Sequence, residues 1–244
     1  MSIRRFLSAW LATAAVIASF TTPALAQDTA AIRKALSERV PQLQQIDEIT
    51  RTPMPGLFEV RVGTDVFYSD AKGDFLIQGE LLDTKGKRNL TNDRVTKLTA
   101  IDFATLPEKD SFTIVRGNGK RQVAVFEDPN CGYCRRFETD LKTIDNVTVH
   151  VYLYPILGPD SVEKSKNLWC AKDRGRAWQD WMIDSKPAAS AAARCDTGAV
   201  ERNVAFGRKY KINGTPTLIF ADGTRVPGAI AAADIEKQLA TATR

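Results

Sequence analysis

The sequence has few of the residues from which histidine-dependent and metal-dependent sites are built. It contains one histidine, His150, and four cysteines among 244 residues. His150 falls in an alternating run that predicts a strand, so we expect it to be structural rather than catalytic. Two of the cysteines, Cys170 and Cys195, are too far apart to form the second half of a zinc site. Zinc binding is therefore the disfavoured alternative for the other two, and we expect no metal and no other cofactor.

Long apolar runs are absent except at the N-terminus. Arg4 and Arg5 precede an apolar run from Phe6 to Phe20, and Ala24-Leu25-Ala26 offers a site for a signal peptidase. We therefore expect residues 1–26 to be a signal peptide, with an uncleaved anchor as the alternative. After cleavage the exported chain has no further segment for membrane insertion.

Runs of one charge are also absent. The formal net charge of +5 falls to +3 once Arg4 and Arg5 are removed with the signal peptide. The basic residues alternate with acids, as Lys164 and Lys166 do beside Glu163. This pattern is typical of a solvated surface, so we expect no nucleic acid partner.

The sequence does contain one reactive pair, in the motif Cys131-Gly132-Tyr133-Cys134. The run 122–126 predicts a buried strand before it, and 135–144 has helical spacing after it. A cysteine at such a turn meets unpaired N–H groups and the positive end of the helix dipole, which favour the thiolate. We predict that Cys131 is the nucleophile and Cys134 the resolving thiol. A purely structural disulfide is the alternative, although so short a loop removes little chain entropy.

The first part of the exported chain predicts a small α+β domain over residues 27–88. Asp28 to Val40 has the spacing and cap of a helix. Short β-rich runs separated by turn residues predict strands at 45–52, 57–62, 66–69 and 75–82. A unit of this size rarely builds a sufficient core alone, so we expect it to pair with a second copy.

A polar helix follows and predicts a linker over residues 89–105. We expect Thr91 to cap it and the helix to run from Asn92 to about Ala100. Ordinary packing on the next domain is the alternative.

The remaining residues, 106–244, predict a catalytic α/β domain. Strands at 111–115 and 122–126 flank Gly117-Asn118-Gly119, which is a hairpin signal. After the cysteine motif we expect a strand at 147–154, helices at 160–193 and 197–210, a strand at 217–220 and a helix at 231–240. This is the element order of a thioredoxin-like fold with an inserted helical subdomain.

Four motifs in this order resemble one known family across essentially the whole exported chain. They are Phe126-Glu127-Asp128-Pro129-Asn130-Cys131-Gly132-Tyr133-Cys134, Trp169-Cys170-Ala171-Lys172-Asp173, Gly214-Thr215-Pro216 and Val226-Pro227-Gly228. They are similar to the DsbC/DsbG family of thiol:disulfide interchange proteins.

The resemblance implies a disulfide isomerase of the periplasm. Such a protein acts on misoxidised exported proteins and is a homodimer held by its N-terminal domains. It binds unfolded chains as a chaperone does and is kept reduced by a membrane thiol reductase of the DsbD type. A dithiol oxidase, a substrate-specific reductase and a chaperone binding module of the DsbG type are the alternatives.

The resemblance also assigns residues around the motif. Gly132 and Tyr133 form a dipeptide typical of isomerases in this family. Thr215-Pro216 is implied to be a cis peptide that binds extended substrate next to Cys131, with an ordinary trans proline as the alternative. Cys170 and Cys195 are interpreted as a structural disulfide, and a second redox-active pair is the alternative.

The electrostatic surroundings of Cys131 allow two further expectations. Arg135, which stands where the family more often has a histidine, and Arg136 are expected to lower the Cys131 pKa. Val125 occupies the position where thioredoxin has a buried acid, so Glu127 is a candidate proton acceptor, although we expect it to be a surface residue. Three apolar residues are candidates for either a substrate-binding surface or the core: Tyr154, Ile156 and Leu157.

Overall fold

The computed structural model describes residues 24–242. The predicted signal peptide therefore lies almost entirely outside the described residues. The chain divides into two compact units, one ending at Gly79 and the other beginning at Glu80. Over the described residues, no helix combines the length and apolar character needed to span a membrane.

The first unit packs one helix against an antiparallel sheet. Its elements are α1 (Ala24–Arg39), β1 (Glu48–Arg51), β2 (Leu57–Val62), β3 (Asp65–Asp70) and β4 (Leu76–Ile77), and the strands lie in the order β1-β2-β3-β4. Ile32 and Leu36, four residues apart on one helix face, pack with Phe58 and Val60 of β2. The predicted α+β fold of this domain is confirmed.

The predicted strand 75–82 is wrong as a single element. It consists of β4 and a separate strand β5 (Leu82–Asp83), which pairs with β6 (Arg88–Asn89) instead. Residues 75–80 are all exposed, so no buried face holds them in one strand. Gly79 adds no side chain that could pack there.

The linker helix begins earlier than predicted. Helix α2 (Leu90–Thr99) is capped by Asn89, whose side chain accepts a hydrogen bond of 2.9 Å from the Asn92 N–H. Thr91 was predicted as the cap, but its hydroxyl accepts a hydrogen bond from the Leu81 N–H at 2.8 Å. Asn has the higher preference for the cap position, and its side chain is free to reach the helix.

The second unit is built on a five-stranded mixed sheet in the order β11-β10-β8-β9-β7. Its strands are β7 (Phe112–Arg116), β8 (Arg121–Glu127), β9 (Val147–Leu153), β10 (Thr217–Phe220) and β11 (Arg225–Pro227). Its helices after α2 are α3 (Gly132–Leu141), α4 (Pro159–Trp169), α5 (Arg174–Asp184), α6 (Gly198–Lys209) and α7 (Ala232–Ala242). Only β8 and β9 are parallel, because α3 provides the crossover between them.

The hairpin predicted between the strands of 111–115 and 122–126 is wrong. Gly117 and Gly119 do form a turn, with φ of 54° and 63°, but β9 lies between β7 and β8. Val149 of β9 is opposite Ile114 on one side and Val123 on the other. Strand β8 is apolar on both faces and β9 is fully buried over its last three residues, which suits the centre of a sheet, whereas β7 alternates and suits an edge.

The predicted helical section 160–193 is two helices followed by an irregular segment. Asp173 caps α5 by accepting a hydrogen bond of 3.0 Å from the Arg176 N–H, and Ser185 ends it with φ of 57°. A disulfide between Cys170 and Cys195 ties the end of α4 to the chain that follows α5. The disulfide therefore ties down a segment that forms no helix of its own.

Candidate active site

Cys131 is the N-cap residue of α3, directly after the turn that follows β8. Its sulfur accepts a hydrogen bond from the Cys134 N–H at 3.4 Å. A cap residue faces the unpaired N–H groups of the first helical turn, which attract negative charge. Only 6% of Cys131 is exposed, whereas the neighbouring Tyr133 is 70% exposed.

The pKa of Cys131 is lowered from 9.0 to about 5. The hydrogen bond from the Cys134 thiol lowers this pKa most. Hydrogen bonds from the Thr215 side chain and from the N–H groups of Cys134 and Tyr133 lower it further. Burial acts in the opposite direction but is outweighed. Cys131 is therefore a thiolate at neutral pH.

Arg135 is not among the main causes of this effect. Its guanidinium donates to the carbonyl oxygen of Trp181 at 3.0 Å and to the hydroxyl of Ser185 at 3.1 Å, at the end of α5. Arg136 is exposed, and neither arginine is among the groups that lower the Cys131 pKa most. The lowering of the Cys131 pKa by these arginines therefore stays a prediction.

Cys134 has the opposite electrostatic environment. It is fully buried on the inner face of α3, and burial raises its pKa far above the ordinary value. Cys134 is therefore a neutral thiol that donates to the Cys131 thiolate. The motif thus holds one ionised and one protonated sulfur.

The peptide bond between Thr215 and Pro216 is cis. It places the Thr215 carbonyl oxygen 3.3 Å from the Cys131 sulfur. The loop is held by hydrogen bonds from the Thr217 hydroxyl to the Gly214 carbonyl and from the Gly228 N–H to the Pro216 carbonyl, both 2.8 Å. The structure thus brings together Cys131 and the X-Pro loop.

Asp128 organises the active-site turn, which sequence reasoning missed. One carboxylate oxygen accepts from the N–H groups of Ile156 and Leu157 at 2.8 and 2.9 Å. The other accepts from the Asn130 N–H and from the Ser161 hydroxyl at 2.8 and 2.7 Å. The acidic residue at a strand end, three positions before Cys131, was the available signal.

The three apolar candidates after β9 separate into core and surface. Tyr154 is buried, and its hydroxyl donates to the Ile212 carbonyl at 2.8 Å. Ile156 and Leu157 are exposed, on the loop that Asp128 holds to the active-site turn. They form an apolar rim beside the site.

Glu127 is fully buried, so the expectation of a surface residue is wrong. It is the last residue of the central strand β8, and the neighbouring strands and α3 cover it. Glu138 of α3 is also fully buried, and its carboxylate accepts a hydrogen bond of 2.7 Å from the Trp178 indole N–H. Glu138 is four residues after Cys134, so both side chains lie on one face of the helix. This spacing was the sequence signal for a second buried acid.

His150 lies outside this arrangement. Its ring nitrogen is 3.1 Å from the Gln122 side chain, and Phe103 contacts the ring edge-on. Burial lowers its pKa. Between residues 24 and 242, no cluster of three histidine, cysteine, aspartate or glutamate side chains is arranged to hold a metal.

The site combines a thiolate at a helix N-terminus, a protonated partner thiol and a facing X-Pro loop on a mixed sheet. This combination defines a thioredoxin-like thiol:disulfide oxidoreductase. Residues 108–243 match the thioredoxin-like domain family, and residues 23–92 match the disulfide bond isomerase protein N-terminal domain. The chain belongs to the DsbC family of thiol:disulfide interchange proteins.

Individual relatives agree with this assignment. The chain is 41% identical over 211 residues to the probable thiol:disulfide interchange protein DsbC of Bordetella avium, covering 86% of this chain and 74% of the relative. It is 31% identical over 220 residues to DsbC of Escherichia coli K12, covering 87% of each. A disulfide interchange protein from Neisseria gonorrhoeae has a solved structure with 35% identity and a TM-score of 0.53, covering 57% of this chain and 99% of the other. The predicted family, fold class and enzyme class are confirmed.

Proposed function

We propose that the protein is a periplasmic disulfide isomerase that attacks non-native disulfides in exported proteins through the Cys131 thiolate. The observation that carries the proposal is an ionised sulfur, with a pKa of about 5, beside the X-Pro loop. The thiolate is the nucleophile of thiol–disulfide exchange. Its low pKa also makes Cys131 a good leaving group when the substrate is released.

The proposed reaction proceeds through a mixed disulfide. The Cys131 sulfur bonds to one sulfur of the substrate disulfide, and the other substrate sulfur leaves as a thiolate. That thiolate attacks a different disulfide of the substrate and frees another substrate thiolate. The freed thiolate attacks the substrate sulfur of the mixed disulfide, which forms the correct pairing and releases Cys131 as a thiolate. Where the substrate stays bound, Cys134 attacks Cys131, closes the motif as a disulfide and releases the substrate in reduced form.

The proposed substrate surface combines backbone and apolar contacts. The backbone of Thr215 beside cis Pro216 is suited to pair with an extended chain, whatever its sequence. Tyr133 of the motif and Ile156 and Leu157 of the loop that Asp128 binds expose apolar surface. Such a surface suits unfolded chains and supports chaperone-like binding as an additional activity.

The proposed partners follow from the family. The N-terminal unit, which matches the isomerase N-terminal domain, would join two copies into a homodimer. A membrane thiol reductase of the DsbD type would return the Cys131–Cys134 pair to the reduced state. The periplasm is the proposed location, where misoxidised proteins occur.

Refolding of scrambled ribonuclease tests the proposed function. We expect the reduced protein to accelerate recovery of ribonuclease activity and Cys131→Ala to abolish the acceleration. Cys134→Ala retains the nucleophile and should accumulate mixed disulfides with the substrate. Undiminished isomerase activity in Cys131→Ala would refute the mechanism.

The exposed apolar rim of Ile156 and Leu157 favours chaperone-like binding as a second activity. The double variant Cys131→Ala/Cys134→Ala should still suppress aggregation of a reduced, unfolded protein. Replacing Leu157 with Glu in that variant should weaken the suppression. Suppression that is lost with the cysteines would contradict a separate binding activity.

A further inference from the structure

The chain reaches Cys131 through a tight turn over residues 128–131. The Asp128 carbonyl oxygen accepts a hydrogen bond of 3.0 Å from the Cys131 N–H, which closes the turn. Aspartate at the first position and Pro129 at the second are residue types that such turns favour. The peptide between Pro129 and Asn130 is therefore the central peptide of the turn, and its orientation sets the direction in which the chain enters α3.

This central peptide is held at both ends. Its N–H, which belongs to Asn130, donates to the Asp128 carboxylate at 2.8 Å. Its carbonyl oxygen, which belongs to Pro129, accepts a hydrogen bond of 2.7 Å from the indole N–H of Trp181. Turns of type I and type II differ by a flip of the central peptide, so the two bonds together favour one orientation over the other.

Trp181 lies in the last turn of α5, in the helical section inserted after β9. Trp178, three residues earlier on the same face of this helix, donates to Glu138 of α3. Helix α5 thus directs two indole N–H groups toward α3 and the turn before it. Trp178 is fully buried whereas Trp181 is partly exposed, so burial of apolar area explains Trp178 better than it explains Trp181.

Two cations hold the Trp181 ring in place. The Arg135 guanidinium of α3 lies 4.6 Å from the ring centroid, and the Lys164 amine of α4 lies 4.8 Å from it. The Lys164 amine also donates to the Asn130 side chain at 2.9 Å. Because two cations contact the ring, the loss of either one leaves the other to orient the indole.

We propose that Trp181 is a positioning residue for Cys131, because its indole N–H fixes the central peptide of the turn and thereby keeps the Cys131 sulfur at the start of α3. The proposal rests on the proposed function, since it concerns the same sulfur. That sulfur accepts a hydrogen bond from the Cys134 N–H at 3.4 Å, which requires Cys131 to remain the N-cap residue. A reversed central peptide would move the sulfur away from the N–H groups that stabilise the thiolate.

Trp181→Phe tests the indole N–H, because it keeps an aromatic ring and changes no charge. We expect the pH of half-maximal Cys131 alkylation by iodoacetamide to rise by about 0.5 to 1 pH unit, because one hydrogen bond that supports the thiolate is lost. The equilibrium of the motif with glutathione should move toward the disulfide by about 3- to 10-fold, since the reduced form is then less stabilised.

Trp169→Phe is the matched control. Its indole N–H also donates to a backbone carbonyl, that of Asp196 at 2.9 Å, which is not part of the turn. We expect both variants to lose a similar free energy of unfolding in urea, and only Trp181→Phe to move the alkylation midpoint and the glutathione equilibrium. A role in stability alone would leave both midpoints at the wild-type value.

The charged and titratable groups around the turn stay the same in Trp181→Phe. They are Glu127 of β8, Asp128 of the turn, Cys134 and Arg135 of α3, and Asp160 and Lys164 of α4. A moved midpoint therefore reports a change in the position of Cys131 and not a change of charge.

A nuclear magnetic resonance measurement leaves Trp181 unaltered. In the wild type, the indole N–H resonance of Trp181 should shift with the same pH midpoint as Cys131 alkylation, because the indole is bonded to the turn that carries Cys131. In Cys131→Ala this shift should be missing. A resonance that titrates in the same way in both proteins would overturn the proposal.

The outcomes separate this proposal from the proposed function. A wild-type midpoint near 5, with the midpoint or the glutathione equilibrium unchanged in Trp181→Phe, would overturn the positioning role alone. A shift of equal size in Trp169→Phe would also overturn it. A wild-type midpoint near the ordinary thiol value of 9.0 would refute both, since no stabilised thiolate would be there to position.

Discussion

In the proposed mechanism, ionisation of one residue, Cys131, sets the pH range in which the protein reacts. Its pKa of about 5 has its largest cause in the Cys134 thiol and further causes in Thr215 and the helix N-terminus. The nucleophile is therefore fully formed at neutral pH and is lost only when acid protonates the thiolate. The main causes of the low value are contacts that the fold provides.

We expect the rate of Cys131 alkylation by iodoacetamide to be half-maximal near pH 5. Because hydrogen bonds from Cys134 stabilise the thiolate, Cys134→Ala should move this midpoint to higher pH. Arg135→Ala is the matched control on the same helix and should move it little, since the guanidinium binds the end of α5. A wild-type midpoint near the ordinary thiol value of 9.0 would contradict the assignment.

At the scale of the secondary structure elements, we infer a structural role for the disulfide between Cys170 and Cys195. It closes a separation of 25 residues between the end of α4 and the segment after α5. Trp169 supports the same junction, because its indole donates to the Asp196 carbonyl at 2.9 Å. Neither cysteine is at a helix N-terminus that would activate it.

We expect the double variant Cys170→Ala/Cys195→Ala to lose about 3.5 kcal/mol of unfolding free energy, the chain-entropy value for a loop of this length. Urea unfolding of the oxidised wild type and the variant measures the difference. The rate and pH midpoint of Cys131 alkylation should remain those of the wild type. A variant with normal stability but altered Cys131 reactivity would indicate a redox role for the pair instead.

Elements defined by local pattern could be predicted from the sequence, and those decided by tertiary pairing could not. The bounds of β2 and β10 and the cysteine turn followed from apolar periodicity and flanking turns. The hairpin at 117–119 failed because the sequence does not show that β9 enters between its strands. The prediction that Glu127 is a surface residue was wrong for a related reason. Its burial depends on tertiary packing that the local sequence does not show.

At the scale of the whole molecule, the N-terminal unit ends in an edge that is unsuited to solvent. Strand β4 is the last of its sheet, and in the described part of the chain it pairs only with β3. Apolar side chains in and directly before this strand face water, with Phe75 72% and Ile77 50% exposed. An edge strand with unpaired backbone groups and exposed apolar residues is a template for pairing with another chain.

This edge predicts how the homodimer forms. Phe75→Glu/Ile77→Glu introduces two charges at β4, which should block edge pairing by desolvation and repulsion, so the protein should sediment as a monomer at micromolar concentration. Met54→Glu is the control, because Met54 is 56% exposed in the same unit but lies in the turn before β2. It should remain a dimer.

A wild type that sediments as a monomer would refute dimerisation, and a β4 variant that remains dimeric would place the interface elsewhere. Because each subunit carries its own Cys131 site, the monomeric variant should keep the same alkylation midpoint, which separates loss of assembly from loss of fold.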